Sequence, residues 1–253
     1  MNQSILYTYA MLSLNTYKKL MFSAGSSYYN NAFFIGIHQL HKQGIINLEW
    51  KSAPLSEAEQ DRLHLHAWHE KEAPTSIELP FLKKTKPLSN DLLEYKFLSD
   101  RIPETQPIHL LNLIKEDYRY EINKKVTTMQ EILERGLLDH NMAFKTAKKR
   151  LFGKSRTFIL PEPAALQNTA TYLRTILNQD KPMTEQDFIL CYLAKVERML
   201  PSLYDKQEAE YLYDKIESLS QSKPHCEDLF LKIYNLIRVM EESLFQTLTL
   251  SDE

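Results

Sequence analysis

Glycine is scarce in this sequence, with only five among 253 residues, at positions 25, 36, 44, 136 and 153. Tight reversals and left-handed backbone lean on that residue, so its scarcity excludes a large, turn-rich sheet protein and leaves helices as the expected framework. It also removes phosphate-cradling loops: the chain has no G-x-x-x-x-G-K and no G-x-G-x-x-G run, and it lacks the G-x-S-x-G turn of serine hydrolases. Cysteine occurs twice, as Cys191 in an apolar run and Cys226 in the polar stretch PHCED. Two distant thiols do not make a disulfide framework and fit a reducing compartment. An excess of one charge is missing too, since the formal net charge is −2. No whole-molecule field draws the chain to nucleic acid or membrane, and such binding must come from a local patch. The opening MNQSILYTYAMLSLNTYKK has no basic residues before its apolar stretch and does not read as a signal peptide. Leu20 to His41 is free of Lys, Arg, Asp and Glu, yet it carries SAGSSYYNN, His38, Gln39 and His41. These are costly in hydrocarbon, so the stretch predicts a loop and a buried helix rather than a membrane span.

What is present is ordinary globular material, 43% apolar and 25% charged. Ile5, Leu6, Tyr9, Leu12, Leu14, Tyr17, Leu20 and Met21 cover most faces of a helix, as in a central, largely buried one. A second helix is expected over 31–43, with Gly44 beyond its end, followed by a short strand at Ile45–Trp50. Residues 51–90 are polar and punctuated by prolines, with a capping box at Ser56–Glu59 for a short helix to about His69. Further helices are expected over Asp91–Arg101, Pro107–Lys115 and Lys125–Arg135, the last closed by Gly136. Residues 141–160 break the helical pattern around Gly153 and read as a β-hairpin, or as a helix turning into one strand. Pro163 and Thr184 open two more helices, and two others are expected over Asp205–Ser220 and Glu227–Phe245. The fold class is therefore mainly α: a single globular helical domain over 1–253 with a small β-hairpin.

Two clusters offer chemistry. His64, His66 and His69 lie in RLHLHAWHEKE, a composition that suits zinc. On a helix His64 and His66 point about 200° apart, and only an extended backbone brings them to one face. A solvated polar segment is the simpler reading, and no metal or other cofactor is expected. His38 and His41 lack a third ligand on their helix and read as packing or surface residues. The stronger cluster is basic. Lys145, Lys148, Lys149, Arg150, Lys154 and Arg156 fall in a stretch with no acid, interleaved with Leu151 and Phe152 and followed by Phe158. Cations gathered in this way can neutralise phosphates of lipid or nucleic acid, while an apolar tip enters a headgroup layer. The bland alternative is an exposed hairpin kept soluble by its charges.

From Ala32 onwards the order of elements resembles the Golgi phosphoprotein 3 family, including its bacterial members. The resemblance lies in LHKQGIINLE, KPLSNDLLEYKFL, the helix ending ILERGLL, the hairpin leading to RTFILPEP, and FILCYLAKVERML with its acidic sequel. It implies a largely helical domain whose hairpin projects apolar residues towards membrane. In eukaryotic members it also implies a phosphatidylinositol 4-phosphate pocket and binding of cytosolic glycosyltransferase tails. Counting from Gly136 places two pocket positions on Ile122 and Lys125. Counting from Gly44 places the others on Ala24 and Phe33, or on Tyr29 and His38 with a gap. None is an arginine, and only Lys125 keeps the charge.

The sequence thus predicts a non-catalytic peripheral membrane or adaptor module in the cytoplasm, with anionic lipids as partners and cytosolic tails of membrane proteins as further ones. Lys125, Lys148, Lys149, Arg150, Lys154 and Arg156 would meet headgroups, and Leu151 and Phe152 would dip into the layer. The alternative is a nucleic-acid binder using the same helix and hairpin as a helix and wing.

Overall fold

A computed structural model describes residues 4–17, 27–54, 57, 75–88, 93–110, 112–114, 116–117, 128–148, 156–179 and 183–221. The chain is mainly helical and forms two compact units: residues 1–22 with 130–227, and residues 23–129 with 228–253.

In the first unit, α1 (Ile5–Tyr17) is buried at every position from Leu6 to Asn15, as its all-round apolar pattern predicts. Its polar side chains bond within the fold: Ser13 Oγ donates to the Tyr9 carbonyl at 2.9 Å, and Asn15 Nδ2 to the Ser202 carbonyl at 3.0 Å. The helices α4 (Met129–Asp139), α5 (Pro163–Asn178), α6 (Glu185–Val196) and α7 (Lys206–Gln221), with a 3₁₀ turn at Leu200–Ser202, complete the helical part. The antiparallel pair β4 (Ala143–Lys148) and β5 (Arg156–Pro161) is the hairpin expected at 141–160. Helix α1 packs against α5, α6 and β5. Thr184 caps α6, accepting from the Asp187 N–H at 3.2 Å, and Pro163 opens α5 where its missing N–H costs nothing. Gly136 does not close α4, contrary to expectation, but sits inside it. A Cβ there would lie 2.1 Å from the Tyr7 ring, so the glycine is required by a close approach rather than by a turn. Asn141, at φ 54°, takes the left-handed position that ends the helix instead.

In the second unit, α2 (Ser27–Lys42) is buried from Asn31 to Leu40 and packs on α3 (Leu93–Arg101) and β1 (Ile46–Pro54). Gly44 at φ 65° ends α2 as predicted. Strand was expected only at Ile45–Trp50 and in the later hairpin, and here the expectation fails. β2 (Ser76–Lys84) pairs antiparallel with the whole of β1, and β3 (Ile108–His109) pairs with β2. Pro80 within SIELPFLKK masked the strand. β3 reaches only Phe81 and Leu82, so at Pro80 β2 has no β3 partner needing an N–H. The helix expected to begin at Pro107 starts instead at Leu110, after β3. Buried Asp117 pairs with Arg101 at 3.4 Å and accepts the Met129 N–H at 3.0 Å, satisfying a donor at the start of α4. The helices expected at 56–69 and 227–245 lie outside the described residues.

Candidate functional site

The basic hairpin grows out of a helix end. Asn141 N–H donates to the Leu138 carbonyl at 3.1 Å and Met142 N–H to Leu137 at 2.8 Å, the paired bonds of a Schellman turn. Met142 is buried and turns the chain directly into β4; Glu162 N–H closes the far side of the ladder on the Met142 carbonyl at 2.8 Å. The register then runs Ala143↔Pro161, Phe144↔Leu160, Lys145↔Ile159, Thr146↔Phe158, Ala147↔Thr157 and Lys148↔Arg156.

Side chains alternate across a strand pair, so Phe144, Thr146, Phe158 and Leu160 share one face. This arm is covered unevenly. Ala143 is buried, whereas Phe144 is 40% exposed and Lys145, Ala147 and Thr157 are exposed. Thr146, Phe158, Ile159 and Leu160 are half-buried, so β5 keeps partial cover where α1 packs on it, while much of β4 faces solvent. At the outer end of the ladder two cationic residues, Lys148 and Arg156, occupy facing positions. Of the other residues singled out by sequence, Lys125, Lys149, Arg150, Leu151, Phe152 and Lys154 lie outside the described residues, as do His64, His66 and His69. Among the pocket positions implied by the family resemblance, Phe33 and His38 are both buried inside α2 and present nothing to a headgroup. Ala24 and Ile122 fall outside the described residues.

The groups with shifted acidity lie elsewhere in the first unit. The Cys191 thiol is fully buried, and that burial together with the nearby Asp187 charge raises its pKa well above the usual thiol range. A thiol held protonated is a poor nucleophile. Tyr172 and Thr184 both donate to Asp187, whose carboxylate braces the start of α6. Tyr17 is pushed up to about 12 by burial first and by Glu197 second, and its hydroxyl donates to Glu197 Oε2 at 3.1 Å. Among the described residues no three His, Cys, Asp or Glu side chains are grouped to hold a metal, and no helix is long and apolar enough to cross a membrane.

Sequence reasoning missed one feature. The run Lys83-Lys84-Thr85-Lys86 closes β2 and, with His41, lines an open cleft beside the C-terminus of α2. Its signal was the alternation of SIELPFL leading into KKTK, hidden by the proline. No protein-family model matches the chain, and no curated protein matches it.

Proposed function

We propose that this protein is a non-catalytic peripheral membrane module of the Golgi phosphoprotein 3 type, which binds anionic lipid headgroups through the β4–β5 arm and recruits cytosolic tails of membrane proteins. The observation that carries the reading is the partly exposed arm, with an exposed Phe144 at its base and Lys148 and Arg156 at facing register positions at its outer end. Lys149, Arg150, Leu151, Phe152 and Lys154 join those two positions in sequence, so the arm concentrates positive charge and two large apolar residues between its strands. Charge near an anionic surface contributes on the order of 1 kcal/mol per basic residue, and apolar burial adds affinity that salt does not screen. Lipid is favoured over nucleic acid by α4, the helix that would have to enter a groove. Its residues Glu131, Glu134 and Asp139 outnumber Arg135 and would repel phosphates.

Liposome flotation tests the reading beside a DNA-shift assay at matched salt. The Lys148→Glu, Lys149→Glu, Arg150→Glu variant should lose binding to anionic vesicles while keeping its melting temperature. Leu151→Ser with Phe152→Ser should lose the salt-resistant fraction alone. Unchanged flotation of the triple variant, or DNA binding at salt that abolishes flotation, would end the proposal.

A further inference from the structure

A second cationic site, separate from the arm, lies in the other unit. The β1–β2 ladder opens at Ile46↔Lys84 onto a cleft of about 830 Å³, between the end of α2 and the run that leaves β2. His41 from the last turn of α2, Gly44, and Lys83 to Lys86 line it, with Glu49 and Glu104 among the other residues of the wall. The charges are unequally matched. Lys84 pairs with Glu104 at 3.6 Å, and Glu49 is held by Asn47 Nδ2 at 3.1 Å and Lys51 at 3.7 Å. Lys83 and Lys86 are exposed and have no carboxylate partner among the described residues.

The floor beneath these lysines is fixed before any ligand arrives. Thr85 donates its N–H to the Ile45 carbonyl at 2.9 Å, and its hydroxyl lies 2.9 Å from the Gly44 carbonyl and 3.0 Å from that of Ile45. The middle of KKTK is thereby stapled to the helix end. Gly44 adopts φ 65°, and a Cβ there would stand 3.4 Å from Lys86 Nζ, so the absent side chain leaves the ammonium room over the turn. His41 Nδ1 donates to the Ile46 carbonyl at 3.3 Å, which holds the ring against the same wall. No aromatic residue other than His41 lines the cleft, so it offers no platform on which a nucleobase could stack.

We infer that this cleft binds a phosphate monoester, with Lys83 and Lys86 supplying the charge-assisted bonds to its oxygens. The inference is independent of the membrane reading. Its test therefore uses the full chain carrying the Lys148→Glu, Lys149→Glu, Arg150→Glu reversal, so that vesicle binding cannot come from the arm. Calorimetric titration with glucose 6-phosphate, with glucose, and with phosphatidylcholine vesicles with or without phosphatidic acid separates a soluble source of the monoester from a lipid one. Saturable binding of either phosphorylated probe, absent for its unphosphorylated counterpart, supports the site. Lys83→Gln with Lys86→Gln should weaken that binding by about tenfold or more, and Lys83→Arg with Lys86→Arg should retain it. Equal binding by the glutamine variant, or equal binding of glucose, overturns the inference. So does a stability loss in the glutamine variant with neither probe bound by the parent, because the lysines would then only offset the carbonyl dipole at the end of α2.

Discussion

The β1–β2 pair and the β4–β5 arm begin in the same way and end differently. Each follows a helix closed by a Schellman turn, Gly44–Ile45 in one and Asn141–Met142 in the other. In each the residue after the second strand donates back to the turn, Thr85 to Ile45 and Glu162 to Met142. From there the two diverge. The first pair runs nine positions, packs on α2, and alternates cleanly, with Ile46 and Leu82 buried while Asn47, Glu49 and Lys83 are exposed. The arm runs six positions and is only partly covered after Ala143, with Phe144 and Lys145 exposed and Phe158 to Leu160 half-buried. One junction thus produces either a longer, better buried pair or a shorter, partly exposed one, depending on what packs beyond the first pair of residues.

The largest effect that would break this contrast comes from truncating one side chain in each. Leu82 is fully buried, so Leu82→Ala should cost about 3 kcal/mol, whereas Phe144→Ala should cost about 1 kcal/mol or less. Urea unfolding of both variants measures it, and equal losses would mean that the arm packs as a core strand. A smaller effect tests the likeness of the junctions. Gly44 and Asn141 both hold positive φ, where an alanine is strained, so Gly44→Ala and Asn141→Ala should each cost about 1 kcal/mol. Sensitivity at only one of the two would show that the turns are not equivalent.

The smallest effect separates the units by pH. Burial, first, and the Asp187 charge hold the Cys191 thiol above its usual value of 9, and burial is the main cause that pushes Tyr17 and Tyr204 from 10 up to about 12. Groups whose pKa is raised on folding give their full stability below the unfolded value and lose it as pH climbs towards the folded one. All three belong to the first unit, and both tryptophans, Trp50 and Trp68, to the second. In a Cys226→Ser variant, raising the pH from 9 towards 12 should accelerate thiol labelling of Cys191, relative to a free thiol, before tryptophan emission changes. A tryptophan change that comes first would contradict it.

Helices were legible wherever periodicity and an end signal agreed. The apolar positions of α1, Pro163 opening α5, Thr184 before α6 and Gly44 after α2 all act through neighbours a few residues away. Gly136 misled for the same reason: a helix-ending glycine and a glycine admitting a ring look alike until Tyr7, far away in the chain, is placed against it. β2 was illegible because a proline is tolerated or forbidden according to whether a neighbouring strand requires its N–H.

The sequence alone determined a mainly helical chain, a first helix apolar on most faces, and a break from helical pattern at 141–160 where cations gather around Leu151 and Phe152. These follow from local spacing and composition, which every conformation of the chain shares. Only the tertiary structure decided that Lys148 faces Arg156, that Phe144 stands partly bare, and that Lys83 and Lys86 meet His41 around one cleft. Register, exposure and convergence depend on contacts between segments some forty residues apart or more in the case of the cleft, and folding alone brings such segments together.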